Sequence, residues 1–236
     1  MRLGRTLPGA CCSEAVNQQA GLTKTTINKE VQPMIAIDPE KISTKENYKF
    51  LIGSIIPRPI ALVTTQSHDG ILNIGPFSYF NIVAADPPMV SVSVQRKNGI
   101  CKDTARNAME TKEFVIHIID EEIVSDANET AAELPAGESE LPRTHFSLAE
   151  SDVVKVPSLK EPKIRFECVL EQAVPLGGHE EAPACDLLIG KIVRYHIADD
   201  LYQDGKIHAE KLKPVSRLAG NFYSKLGEIF EIARPE

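Results

Sequence analysis

The sequence predicts a mainly β domain with flanking helices, its strands forming a closed or nearly closed barrel. Three observations carry that expectation. Short apolar runs lie between turn residues from Ile55 onward, several of them alternate with period 2, and 14 glycines and 16 prolines are spread through 236 residues without fixed spacing. The lack of a period excludes a collagen-like repeat, and a composition that is 42% hydrophobic and 25% charged excludes a disordered chain. No run approaches the roughly 20 apolar residues that span a bilayer, so a soluble protein is expected.

Residues 1–33 mix Gly4, Pro8, Gly9 and Gly21 with isolated polar residues, and are expected to form a flexible N-terminal arm ahead of a single domain over 34–236. Residues 60–65 read as a buried strand, and Asp69-Gly70 as a hairpin turn returning through 71–74. After Pro87-Pro88, Val90, Val92 and Val94 alternate with Ser91 and Ser93 in a half-buried strand over 89–94. A helix is expected up to Thr111, capped by Asp103, with Ala105, Ala108 and Met109 at helical spacing.

A strand follows over 114–119. The Ala- and Glu-rich residues 121–134 are expected as a long helix ending before Pro135, and 135–143 as loop. Over 164–174, Ile164, Phe166, Cys168 and Leu170 face inward against Arg165, Glu167 and Glu171. Gly177-Gly178 and the acidic residues after them turn this strand into another over 186–197, and 228–233 reads as a last short strand.

The formal net charge of −7 provides no long-range attraction to nucleic acid or anionic membranes, so neither is expected as a partner. Cys11, Cys12, Cys101, Cys168 and Cys185 form no CxxC pair, so neither a disulfide framework nor a zinc site is expected. Free thiols fit a cytoplasmic protein, with Cys168 and Cys185 as small core residues. The six histidines are scattered without ligand spacing, and no metal is expected. Only His117, among apolar strand neighbours, invites inspection. Glu121, Glu122 and Glu129 read as a solvated helix face.

Four strings concentrate small, hydroxyl-bearing and glycine residues at strand ends: PRPIALVTT (57–65), NIGPFSYFN (73–81) followed by DPPMVSVSV, KDTARN (102–107) before EFVIH, and PVSRLAGNFY (214–223). Gly75 lets a ligand approach the backbone, and Phe77 offers a face to a planar ring. In this order the strings resemble the flavin reductase-like proteins of the FMN-binding split-barrel fold, which include flavoredoxins and the reductase components of two-component monooxygenases. The resemblance covers roughly residues 48–235.

It implies a Greek-key split β-barrel, a homodimer with FMN at its interface, and hydride transfer from NADH or NADPH to flavin that is either held or exchanged with a partner monooxygenase. An FMN-containing electron carrier reduced by a partner protein, and a barrel binding another phosphate ligand, remain open. Lys102, Asp103 and Thr104 at a helix start suit a phosphate, because backbone N–H groups, a hydroxyl and a cation converge there. Ser93 and Thr65 add hydroxyls, while Arg96 and Lys97 are expected to raise the local potential. By resemblance, Val63, Thr64, Asn73, Ile74 and Ser78 line the ring and its ribityl chain. Gly75 and Pro76 keep the family's turn, and Arg217 and Tyr223 belong to its C-terminal motif near the flavin face or the dimer contact.

Overall fold

The computed structural model describes residues 32–135, 137–178 and 181–235. The expected N-terminal arm therefore lies almost wholly outside the described residues. Residues 32–41 belong to a first unit, in which Pro39–Lys41 makes one 3-10 turn closed by the Lys41 N–H to the Asp38 carbonyl (3.1 Å).

The second unit, from Ile42 onward, carries the barrel. It opens with helix α1 (Thr44–Ser54), followed by β1 (Ala61–Gln66), β2 (Leu72–Phe77), β3 (Phe80–Ala85), β4 (Pro88–Gln95), α2 (Asp103–Thr111) and β5 (Glu113–Ile118). Then come α3 (Val124–Glu129), the short pair β6 (Leu148–Ala149) and β7 (Ser158–Leu159), and the long hairpin β8 (Ile164–Leu176) and β9 (Cys185–Ile197). The chain closes with β10 (Tyr202–Gln203), β11 (Lys206–Ile207), α4 (Ala209–Leu212), β12 (Ser216–Arg217) and β13 (Tyr223–Ser224).

Seven strands form one antiparallel sheet in the order β2-β1-β5-β8-β9-β4-β3. Its two edges, β2 and β3, are consecutive in sequence and joined only by Ser78 and Tyr79. A two-residue link reaches no more than about 10 Å, so the edges must converge at that turn. The sheet therefore curls round, but β2 and β3 are not paired along their lengths, and the barrel is split between them.

Two apolar cores explain why β1 reads as an unbroken hydrophobic run rather than an alternating one. Ala61 and Val63 join Val92, Val94, Phe114, Ile116, Cys168 and Leu188 against Ala105 and Ala108 of α2. Leu62, on the other face, joins Ile60, Leu72, Ile74, Ile119, Phe146 and Leu159. Both faces are buried, so both need apolar side chains. Gly190 of β9 has no side chain for a different reason: a Cβ there would lie 2.3 Å from the Phe114 ring.

Several expectations are corrected. The helix over 121–134 shrinks to Val124–Glu129. Asp120 Oδ1 takes the N–H groups of Glu122 and Ile123 into a turn before it, and the Thr130 hydroxyl donates to the Ala127 carbonyl at its end. Residues 228–233 form no strand, since no other strand among the described residues pairs with them, and Phe230 and Ile232 stay exposed. The N-cap of α2 is Lys102 rather than Asp103, and no side chain caps it. Glu167 keeps the face that alternation assigns it, paired with Val115 and opposite the face of Phe166 and Cys168, but it is fully buried rather than solvated, because residues 152–154 fold over it. Cys185 is half-buried at the strand end rather than in the core.

Helix α1 and strand β3 carry no periodic signal. For α1 a local one exists: Ser43-Thr44-Lys45-Glu46 forms a capping box, with the Glu46 N–H donating to Ser43 Oγ and the Ser43 N–H to the Glu46 carboxylate.

Candidate functional site

A cleft of about 180 Å³ lies beside the split of the barrel. Its walls come from chain-distant segments: Tyr48 and Ile52 on α1, Arg58, Pro76 to Tyr79 at the β2–β3 turn, Ser93 and Gln95 on β4, Lys102 before α2, and Arg217, Leu218 and Gly220 near the C-terminus. All four sequence strings contribute. Three of these side chains are cations, Arg58, Lys102 and Arg217, and no carboxylate among the described residues lines the cleft. In a chain of net charge −7, that concentration of positive charge marks a site for an anion.

Local structure explains the placement. Lys102 stands at the start of α2, where the first N–H groups of the helix have no intrahelical partner and the helix dipole is positive. Gly75 sits where a Cβ would come within 3.1 Å of the Phe77 ring and 3.5 Å of Thr104 Oγ1, so that β2 lies close over the start of α2. The Ser93 N–H donates to the Tyr79 carbonyl (2.8 Å), which fixes β4 against the turn. Burial and the neighbouring Tyr48 push the Tyr79 phenol up, outweighing the opposing effect of Arg58, so it is neutral at physiological pH.

Six expected residues, Pro76, Phe77, Ser78, Ser93, Lys102 and Arg217, line this cleft. The other nine do not line it. Asn73 Nδ2 donates to Thr104 Oγ1 (2.7 Å), and Asn107 Nδ2 to Thr65 Oγ1 (3.4 Å), leaving Asn107 Oδ1 as a buried acceptor without a partner among the described residues. Val63 and Thr64 are buried, and the Thr64 hydroxyl donates to the Pro157 carbonyl. The Ile74 N–H is already taken by Glu140, a buried carboxylate that desolvation pushes up. Asp103 faces its neighbours, pairing with Arg106 at 2.8 Å and accepting the Gly137 N–H. Tyr223 lies under the Arg217 guanidinium, 4.5 Å from ring centroid, and its hydroxyl donates to Asn128.

Arg96 and Lys97 do not raise the potential as expected. Arg96 forms a two-pronged pair with Asp186 (2.9 and 2.6 Å), and Lys97 pairs with Glu133. Arg58, in contrast, was missed as a site residue, although the first string contains it between two prolines at a strand entry. Its partners lie as far as 160 residues away, which no local pattern reveals.

One group of possible metal ligands, Asp152, Glu167 and His196, lies apart from the cleft. The Glu167 carboxylate already accepts from the N–H groups of Asp152, Val153 and Val154 and pairs with His196 Nε2 at 2.6 Å, so its lone pairs are occupied as a loop anchor. His117 is a satisfied core residue: Nδ1 donates to the Leu62 carbonyl, and Nε2 accepts the Leu159 N–H.

The fold is an antiparallel split barrel, and its cleft is lined by three cations and by no carboxylate among the described residues. The sequence matches the flavin reductase like domain over residues 52–211, and the chain belongs to that family. It is a family of flavin-using oxidoreductases. The solved structure of nitrilotriacetate monooxygenase component B from Bacillus cereus is 59% identical, with a TM-score of 0.84 over 86% of this chain and 100% of that one. YwrF of Bacillus subtilis is 49% identical over 86% of this chain and all of its own length. The 2-nitrobenzoate 2-nitroreductase NbaA of Pseudomonas fluorescens is 26% identical, with a TM-score of 0.76 over 85% of this chain and 96% of that one. No helix among the described residues is long and apolar enough to cross a membrane.

Proposed function

We propose that this chain binds FMN in the cleft and passes a hydride from NADH or NADPH to it, delivering reduced flavin to a partner monooxygenase. The observation that carries the reading is the trio Arg58, Lys102 and Arg217 around a cleft that no carboxylate among the described residues lines. FMN ends in a phosphate of nearly two negative charges, and a helix start with a lysine beside it is the ordinary solution for such a group. The partner is suggested by the 59% identity to a protein named as component B of a monooxygenase.

The residues present fit the cofactor. Lys102 and the first-turn N–H groups of α2 would hold the phosphate, the Ser93 hydroxyl would donate nearby, and Pro76 with the Phe77 ring would cover one face of the isoalloxazine. Flavin held there would supply two-electron redox chemistry toward a nicotinamide. The chain's own work is to bind, orient and shelter. Arg217 is held by its contact with Tyr223 and by donating to the Gly220 carbonyl, which sets the C-terminal wall.

A volume of about 180 Å³ is below the ~300–1,000 Å³ of ordinary small-molecule sites. A second copy of the chain is therefore expected to supply the remaining walls, giving a homodimer. Exposed Ile82 and Val83 on the unpaired edge β3 supply apolar surface for that contact.

The test is an absorbance spectrum of the purified protein mixed with FMN and passed through gel filtration, then repeated anaerobically with NADH and with NADPH. Retained flavin that bleaches with one nucleotide is expected. Retained flavin that stays oxidised with both would replace the reductase by an electron carrier, and failure to bind flavin on titration would remove the reading.

A further inference from the structure

Arg58 is an unusual cation. It is 6% exposed, yet among the described residues every hydrogen-bond partner of its side chain is a neutral oxygen. Nη1 donates to the carbonyls of Ile52 (2.9 Å) and Ile55 (2.6 Å) at the end of α1, Nη2 to the Leu218 carbonyl (2.9 Å), and Nε to Ser78 Oγ (3.4 Å). Its main chain exchanges two further bonds with Arg217, at 3.1 and 2.8 Å. One residue thus ties the end of α1, the β2–β3 turn and the C-terminal loop into a single wall.

That geometry leaves the charge uncompensated. No carboxylate among the described residues pairs with Arg58, and the α1 C-terminus offsets it only in part, since a helix end carries about half a charge. Burying a cation without a counter-ion is costly, and such a charge is retained where a negative charge arrives. The other charged side chains facing the cleft, Lys102 and Arg217, are also positive, and its remaining titratable groups are the phenols of Tyr48 and Tyr79.

We propose that Arg58 is the positioning residue of this cleft, and that its buried charge makes the site favour reduced, anionic flavin over oxidised flavin. The proposal rests on the flavin reading above and deepens it by assigning the preference between redox forms. Arg58 stands on the wall made by the end of α1, the β2–β3 turn and the C-terminal loop, and Lys102 stands at the start of α2; with the phosphate at Lys102, as in the flavin reading, the ring is directed to the Arg58 wall. Reduced flavin gains negative charge along its N1–C2=O edge when N1 loses its proton, and oxidised flavin carries none there. A cation behind that edge discriminates between the two forms.

Two variants separate positioning from charge. Arg58→Lys keeps the charge and loses the fork of donors, whereas Arg58→Gln keeps polar reach and loses the charge. The dissociation constants of oxidised and anaerobically reduced FMN are measured for native protein and both variants, with circular dichroism to follow folding. For Arg58→Lys, both forms are expected to weaken together, leaving their ratio unchanged. For Arg58→Gln, the preference for the reduced form is expected to fall by about tenfold or more, since even at about 12 Å a unit charge at an effective dielectric near 20 is worth roughly a factor of ten. A tenfold fall is a drop of about 30 mV in the two-electron midpoint potential.

A native preference preserved in Arg58→Gln would overturn the proposal while leaving the flavin reading intact. A native protein that binds neither form would remove the reading, and the proposal with it. Should Arg58→Gln fail to fold, the native protein decides the matter. Its midpoint potential plotted against pH must change slope at least about one unit below the pH at which free FMN does, the same tenfold expressed as a pKa. A break at the pH of free FMN would overturn the proposal.

Discussion

Replacing His117 with glutamine removes a proton-linked weakness that the native core carries at mildly acidic pH. The imidazole is fully buried on β5, with Nδ1–H donating to the Leu62 carbonyl at 2.9 Å and Nε2 accepting the Leu159 N–H at 3.0 Å. Only the neutral Nδ1–H tautomer satisfies both neighbours, and a second proton would face an N–H. Burial lowers the pKa from 6.5 to about 3. Above pH 6.5 both folded and unfolded chains hold the ring neutral, and the group adds no pH dependence. Below it the unfolded chain takes a proton that the fold refuses, so stability falls by about 1.4 kcal/mol per pH unit until the folded pKa is reached. Between pH 7.5 and 4.5 the native protein should lose about 2.7 kcal/mol through this residue. The variant lacks this loss, although losing one buried hydrogen bond costs it about 1–3 kcal/mol at pH 7.5. Urea unfolding of both proteins at the two pH values gives the four numbers. Equal losses on acidification in native and variant would refute the reasoning.

Two further outcomes follow from packing and charge. Gly190→Ala would drive a methyl group into the Phe114 ring, 2.3 Å from Cζ, and is expected to cost about 1–3 kcal/mol in denaturant unfolding. Glu167→Gln removes the charge that anchors residues 152–154 and is expected to cost about 3 kcal/mol at pH 7, read as a lowered Tm. Burial pushes that carboxyl up, but His196 and the three N–H donors outweigh it and hold it below the usual carboxylate range. Its stabilisation is therefore present above the unfolded pKa and is lost as the pH falls through the folded one.

What was legible in the sequence was what local periodicity controls. β1, β4, β5, β8 and β9 each appear as an apolar run or a period-2 alternation because each has at least one buried face. β3 is an edge strand with Asn81, Ile82 and Val83 all exposed, so its residues follow no inside–outside rule. α1 buries only Ile52 and shows no apolar stripe, leaving its capping box as the sole local sign. Residues 121–134 have helical composition, but Asp120 Oδ1 takes the Glu122 and Ile123 N–H groups into a turn before the helix, and the Thr130 hydroxyl bonds back to Ala127 at its end, so the run is cut at both ends.

The candidate site was legible in its strings and not in its assembly. Lys102 and Ser93 could be placed at a helix start and a strand end, and both reach the cleft. Thr64, Thr65, Asn73 and Thr104 read equally well as ligand contacts, yet their side chains bond to other protein groups and do not line the cleft. Arg58 and Glu140 gain their roles from partners 160 and 66 residues away in the chain, which only the closed barrel brings together.

Whether FMN docks in the cleft by its phosphate at the start of α2 is read from fluorescence titration of native protein and Lys102→Ala with FMN and with riboflavin. Native protein should bind FMN at least about tenfold more tightly than riboflavin, and Lys102→Ala should erase most of that difference while leaving riboflavin affinity unchanged, as expected for one charge-assisted contact to phosphate. Equal affinity of native protein for the two flavins, or an FMN preference that survives Lys102→Ala, would contradict the account.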